Sequence, residues 1–481
     1  MTEESLRGKT VKGVGWSFID SFAGQGITFL VGLILARLLT PDEYGLIGII
    51  MIFVTIFNCI VNSGFSNALI RKNDAQDIDY STVFYVNLFI SCILFGVFYF
   101  SAPLIASFFS QPLLEPLSKA MACIVIINAF AIIQRTILVK IIDFKTQTKI
   151  SLSASIISGL VGIIMAFYGY GVWSLVAQQI SRQSINTILL WTYSKWYPKL
   201  QFSLDSFKEL FGFGWKLMAS SLLDTIWGEI YQVVIGIFYT PAILGQYSRA
   251  HQFSGIFSSN LNGVVQRVSY PVLSSIKDES ERLKDAYRRI IKVTMLVTFV
   301  LMLGLAAISR PMILVLIGEK WQMAAEILPI ICLQMMLYPL HSLNLNMLQV
   351  QGRSDLFLRL EIIKKCIGLC PILLGIFINI HWMLWGSVCY GVIAYYLNSY
   401  YSGKLLGYSF INQLRDIMPL FCIASFMAIL IYFISFLPLS PIIVLVFQII
   451  AGIIIIVLVC ELFKIEEYLE IKRILFSKIG R

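Results

Sequence analysis

Charge is scarce in this chain. Only 13% of its 481 residues are Asp, Glu, Lys or Arg, while 58% are hydrophobic and the mean hydropathy is +0.80. Soluble domains carry ~25% charge, so a soluble globular fold is excluded. Nine cysteines form no framework: seven lie singly in apolar runs. Cys366 and Cys370 sit at helical spacing without histidines at metal-ligand spacing, which reads as packing. No G-x-x-x-x-G-K-[ST] phosphate loop occurs, so direct ATP drive is not expected. Connections between apolar runs are short, which leaves no room for an extramembrane domain. The first apolar run is too long for a signal peptide and lacks an A-x-A-like site, so no cleavable leader is expected.

What is present in abundance is the apolar run. Fourteen occur, from residues 14–38 to residues 441–462, and ~20 such residues cross ~30 Å of hydrocarbon as a helix. The expectation is an all-α polytopic membrane protein with about 14 transmembrane helices. The net charge of +10 sits in the short loops, so the polyanion it meets is the lipid surface and not nucleic acid. With the N-terminus inside, thirty of the 37 Lys and Arg residues fall on the inner side and four on the outer. That asymmetry places both termini in the cytoplasm. The loop from Tyr197 to Leu210 is read as a short interfacial helix capped by Asp205, and the tail from Lys464 to Lys478 as weakly amphipathic and lying on the inner surface.

The chain also repeats itself. Residues 15–45 read GWSFIDSFAGQGITFLVGLILARLLTPDEYG, and residues 214–245 read GWKLMASSLLDTIWGEIYQVVIGIFYTPAILG. Thr40, Pro41 and Gly45 stand 200 positions before Thr240, Pro241 and Gly245. Ser101-Ala-Pro103 is echoed by Ser309-Arg-Pro311. A long repeat of drifting offset means two homologous halves. The Thr-Pro-x-x-x-Gly motif is expected to be a tight outer turn, with proline ending one helix and glycine freeing the chain to re-enter. Six spans separate the copies, so the halves share one orientation and are expected to enclose a cavity. The resulting division is an N-terminal six-helix lobe over residues 1–209, a C-terminal six-helix lobe over residues 210–410, and two additional helices with a cytoplasmic tail over residues 411–481.

The stretches GKTVKGVGWSF, ARLLTPDEYGLIGI and IGIFYTPAILGQYSRA, with the two six-span halves, resemble the polysaccharide transporters of the MOP exporter superfamily, the Wzx-type flippases of O-antigen, capsule and teichuronic acid pathways. The resemblance covers nearly the whole chain. It implies a MOP/MATE-like pair of lobes and a flippase that carries undecaprenyl-pyrophosphate-linked oligosaccharide across the cytoplasmic (inner) membrane. Implied partners are that lipid-linked substrate, membrane lipids and polysaccharide assembly proteins. Relatives often carry a charged residue late in the seventh span, where this chain has Tyr231, Gln232 and Ile235.

An ionisable group inside a span costs ~3 kcal/mol or more at the bilayer centre, so it faces a cavity or a partner. Asp20 in the first span reads either as an ion site or as an interfacial carboxylate. Asp224, Glu229 and His251 are the other ion-coupling candidates; the coupling ion would be H+ or Na+, and no cofactor or metal is expected. Asp224 and Glu229 lie about 140° apart on a helix and share a face only if Gly228 breaks it. Substrate-cavity candidates are Arg249, Lys216, Gln252, Gln25, Gln178 and Arg182. Arginine suits a pyrophosphate because its planar fork stays charged and donates in pairs. Gln178, Gln179, Arg182 and Asn186 form a stripe that either faces the cavity or zips to a neighbouring helix. Arg37, beside Asp42 and Glu43, reads as half of a structural ion pair.

Three functions remain open from sequence. A glycan-lipid flippase needs a cationic cavity. An ion-coupled multidrug (MATE-like) exporter needs an anionic, aromatic one. A flippase for a peptidoglycan lipid precursor would share the pyrophosphate chemistry of the first. A polytopic glycosyltransferase or polymerase is disfavoured for want of a long outer loop, so no enzyme is expected.

Overall fold

The computed structural model describes residues 23–62 and 64–479, and among them no strand occurs. The first helices are α1 (Ala23–Leu38), α2 (Pro41–Asn62), α3 (Phe65–Arg71), α4 (Asp77–Phe108), α5 (Leu114–Lys140), α6 (Phe144–Phe167), α7 (Val172–Tyr193) and α8 (Leu204–Phe238). There follow α9 (Pro241–Ser275), α10 (Ser280–Ala307), α11 (Ser309–Leu316), α12 (Gln322–Met335), α13 (Tyr338–Val350), α14 (Ser354–Ile367) and α15 (Leu369–Phe377). The chain closes with α16 (Ile380–Leu406), α17 (Phe410–Phe433), α18 (Pro441–Leu462) and α19 (Glu466–Ile479). Each of the fourteen apolar runs overlaps a helix or a helix pair. Among the described residues nine helical stretches are long and apolar enough to cross a membrane. Large apolar side chains stand exposed along them, as Ile442, Val446, Phe447, Ile450 and Ile453 do on α18. In water such a face would be untenable; against lipid it is the expected surface. The protein is an all-helical, multi-pass membrane protein.

The described helices pack into two compact units that divide after Gly245. In the first, Phe65, Leu69, Phe84, Ile133 and Leu210 form a buried cluster. Phe84 is ringed by Phe130, Trp191 and Trp196 at centroid distances of 5.9–6.2 Å. In the second, α10 presents Leu283, Tyr287, Ile291, Met295 and Phe299 to one buried face. Those residues recur every four positions, the spacing that stacks side chains on one side of a helix.

Within hydrocarbon, polar rungs are worth ~0.6–2 kcal/mol each and fix which helices meet. The second unit has such a ladder. Asn344 and Gln413 bond reciprocally at 3.1 and 3.2 Å, and Ser402 donates to Asn344 at 2.9 Å. His341 Nδ1 lies 3.2 Å from the Asn398 amide. This is why α13 tolerates the polar residues that make its run atypical.

Four local expectations change. The tight connection between α1 and α2 is confined to residues 39–40, and Pro41 already starts the next helix. Thr40 N and Oγ1 donate to Glu43 at 2.7 and 3.0 Å, and Glu43 N donates to Thr40 Oγ1 at 3.4 Å, which is a capping box ahead of Pro41 at N1. Ile243 N likewise donates to Thr240 Oγ1. Second, Gly45 and Gly245 lie inside α2 and α9, and each marks a crossing. A Cβ on Gly45 would stand 1.8 Å from the Pro241 carbonyl oxygen, and one on Gly245 would stand 1.9 Å from that of Pro41. Backbone touches backbone there, which only glycine permits. Third, no separate helix occupies the loop before α8. Ser203, not Asp205, is the cap, accepting from Ser206 N at 3.2 Å, and α8 runs unbroken for 35 residues, through Gly228. Gly214, which opens the second repeat, abuts Gly64 at the start of α3. Fourth, most cysteines are not packed inside: Cys332 and Cys460 are buried, but Cys366, Cys370 and four others lie on the surface.

The tail forms α19 as an amphipathic helix, with Ile465, Tyr468 and Ile471 set against the core of the second unit. Arg289 of α10 pairs with Glu470 at 2.7 Å, and Lys292 pairs with Glu467.

Candidate functional site

Helix α7 carries the polar stripe read from the sequence, and its periodicity divides the stripe by role. Gln183, Thr187 and Trp191 recur every four residues on one face. Gln183 Nε2 donates to Asn128 Oδ1 at 3.0 Å, Thr187 Oγ1 to the Ile127 carbonyl at 3.2 Å, and Trp191 Nε1 to the Phe130 carbonyl at 2.9 Å. All three acceptors belong to α5. Asn128 in turn donates to Asn58 of α2 at 2.9 Å, so an amide relay ties three helices together. The neighbouring face, offset by three and four residues, is Gln179, Arg182 and Asn186. It lines a cavity of about 330 Å3 in the first unit.

Helices α2, α5, α6 and α7 wall this cavity. Arg182 projects from α7 and Arg135 from α5; Asn58, Ser151, Gln179, Gln183 and Asn186 supply neutral polar groups. Among the described residues no Asp or Glu lines it. Two guanidinium groups in one membrane-embedded cavity, with amides around them and no carboxylate among the lining residues, form an environment suited to a polyanion with hydroxyl-rich neighbours. The amide relay holds the relative positions of α2, α5 and α7, and so holds the two arginines in register.

Arg135 is the residue that sequence reasoning passed over, since it counted only as an inner-side cation. Its signal was the Gln134-Arg135 pair in the midst of the apolar stretch from Ile124 to Val139.

The other candidates are distributed elsewhere. Gln178, next to the stripe, presses its stem on α6, where a Cβ at Gly162 would stand 3.0 Å from Gln178 Cβ. Gln25 is exposed on α1. Lys216 and Asp224 are exposed on α8, while Glu229, half-buried, accepts from Gln232 Nε2 at 2.5 Å. Because α8 is continuous, Asp224 and Glu229 stand on different faces. On α9, Arg249 and Gln252 are partly buried, and His251 sets its ring 5.8 Å from that of Tyr247. Asp20 lies outside the described residues. The described structure therefore brings Arg182 together with Arg135, and does not bring Lys216, Gln25 or Gln178 into that cavity. No group of His, Cys, Asp and Glu with metal-binding geometry occurs among the described residues.

Comparison with known proteins gives a consistent picture. The family described as polysaccharide biosynthesis protein matches residues 34–326. Similar curated proteins include the teichuronic acid biosynthesis protein TuaB of Bacillus subtilis, 28% identical over 73% of this chain and 73% of that one. The succinoglycan biosynthesis transport protein ExoT of Rhizobium meliloti is 27% identical over 68% of this chain and 67% of its own. The lipopolysaccharide biosynthesis protein WzxC of Escherichia coli is 21% identical over 77% and 76%. Among solved structures, the lipid II flippase MurJ in an inward closed conformation superposes with a TM-score of 0.72 at 17% identity, covering 98% of this chain and all of that one. An inward-facing multidrug resistance MATE transporter of the MOP superfamily gives 0.61 at 16% identity, over 82% and 94%. At such identities the likeness speaks for the fold.

Proposed function

We propose that this chain, which belongs to the polysaccharide biosynthesis protein family, is a flippase that moves an undecaprenyl-pyrophosphate-linked oligosaccharide from the inner to the outer leaflet of the cytoplasmic membrane by alternating access. One observation carries the reading: the cavity lined by Arg135 and Arg182, with no carboxylate among the described residues that line it. A multidrug exporter selects cations and needs the opposite lining, so this cavity disfavours that branch. The named roles of TuaB, ExoT and WzxC in polysaccharide biosynthesis point the same way.

In this mechanism the two guanidinium groups hold the pyrophosphate, replacing water as the headgroup leaves the inner surface. Gln179, Gln183 and Asn186 hydrogen-bond the sugar hydroxyls nearest the phosphate. The polyprenyl tail stays in lipid and threads between helices, so only the polar headgroup is desolvated. Lys216 on α8, and separately Arg249 and Gln252 on α9, remain further candidates for contact with the headgroup. An acidic residue, Asp20, Asp224 or Glu229, takes the coupling H+ or Na+ that resets the cycle, with His251 as a further candidate. No bond is made or broken, and the protein works as a transporter and not as an enzyme. Both termini face the cytoplasm, a placement that the Lys and Arg asymmetry supports.

The test is deletion in the native host followed by lipid analysis and complementation. Deletion should accumulate the lipid-linked oligosaccharide on the inner leaflet and remove surface glycan. Arg182→Gln and Arg135→Gln should each restore export at least tenfold less well than the wild type, at equal protein level in the membrane. Full export by both variants would overturn the site. An unchanged lipid pool with new sensitivity to cationic dyes would overturn the function.

A further inference from the structure

The second unit holds a cavity of about 780 Å3 at the ends of its helices, where α10 finishes at Ala307 and α12 begins at Gln322. Its lining has two parts. Arg310, Glu319, Gln322 and Glu326 stand at the helix termini, whereas Ile429 and Tyr432 of α17 supply an apolar wall. Among the described residues the side chains of Arg310 and Glu319 make no ion pair or hydrogen bond; Glu326 accepts from Gln322 Nε2 at 3.1 Å. Opposite charges that share one cavity without neutralising each other leave room for something that bears both signs.

Depth narrows the choice. Helix ends in a multi-pass protein lie at the headgroup level, and an apolar wall running inward from them lies beside acyl chains. The occupant must therefore present charge at one end and hydrocarbon at the other. A phosphate suits the planar fork of Arg310. A primary ammonium, with three N–H donors, suits the two carboxylates. A trimethylated ammonium has no N–H to donate, and a glycerol headgroup brings no cation to Glu319 and Glu326. Free phosphate would leave the wall at Ile429 and Tyr432 unused. We propose that this cavity is a binding site for a zwitterionic aminophospholipid of the phosphatidylethanolamine type, with its phosphate on Arg310, its ammonium on Glu319 and Glu326, and a chain along Ile429 and Tyr432. The site is separate from the arginine cavity of the first unit and stands independently of the transport reading.

Native mass spectrometry of the full-length, delipidated protein tests it. Phosphatidylethanolamine, phosphatidylcholine and phosphatidylglycerol with identical chains are titrated in turn. The wild type should retain phosphatidylethanolamine about tenfold better than either other lipid. Glu319→Gln combined with Glu326→Gln should bring phosphatidylethanolamine down to the level of phosphatidylcholine, and Arg310→Gln should lower retention of all three. Equal retention of the three lipids by the wild type, a preference for phosphatidylglycerol, or an unchanged ranking in the variants would overturn the proposal. A photoreactive phosphatidylethanolamine gives a readout on the unmutated protein: crosslinks should map to α12 and α17, and crosslinks confined to other helices would overturn it as well.

Discussion

Single residues decide two features of this molecule, and they differ in how openly the sequence announces them. The glycines of the repeated motif stood out by their spacing, yet the sequence suggested a turn. A turn glycine and a crossing glycine look alike in one dimension, because what distinguishes them is a backbone from 200 residues away. The structural reading makes a sharper prediction. Overpacking costs ~1–3 kcal/mol even where side chains yield, and at Gly45 the obstacle is a carbonyl. Gly45→Ala and Gly245→Ala should each lower the thermal midpoint in detergent by several degrees and to a similar extent. Gly96→Ala, where nothing lies within 4 Å, serves as the control and should leave it unchanged. Equal melting of all three would contradict the crossing. The arginines divide the other way. Arg182 was legible from its stripe, but Arg135 needed the fold, since only the packing of α5 against α7 puts both beside one space.

At the scale of the element, hydropathy located the helices, since each of the fourteen apolar runs overlaps one or a pair. It failed at helix starts and in the tail, where the decisive interactions are polar and non-local. Ser203 rather than Asp205 caps α8 because its oxygen reaches Ser206 N, a matter of one residue of register. The charged tail was expected to lie on the lipid surface. Glu467 and Glu470 also meet Lys292 and Arg289 of α10, partners some 180 positions earlier that no local pattern reveals. Both basic partners keep some exposure, so salt should weaken the attachment. Glu467→Gln with Glu470→Gln should raise hydrogen exchange of residues 466–473 severalfold, and high salt should do the same to the wild type. Unaltered exchange under both conditions would mean that Ile465, Tyr468 and Ile471 hold α19 by themselves.

For the whole molecule the fold class was written in composition, whereas the orientation expected from the Lys and Arg asymmetry awaits measurement and the count of spans is less well defined. The reason is physical: α7, α9 and α16 bury polar residues, and α14 and α15 break at Gly368, so these helices do not qualify as spans by length and hydropathy. Orientation is open to direct measurement. A cysteine placed at Ser440, between α17 and α18, in a background lacking the nine native thiols, should react with a membrane-impermeant maleimide on intact cells. One placed at Lys277, between α9 and α10, should react only after permeabilisation. The reverse pattern would invert the topology and, with it, the direction of transport.

The crossing of α2 and α9 has a historical consequence. Pro41 faces Gly245 while Pro241 faces Gly45, and the two glycines themselves adjoin. This is the reciprocity of a symmetric homodimer, in which one patch meets its own copy. It fits an ancestor half as long that paired with itself before its gene was doubled and joined. Such a patch is under twofold constraint: a change in either copy spoils a surface that the other still requires. The motif thus does the same work twice, opening a helix at proline and, one turn on, letting backbone meet backbone at glycine.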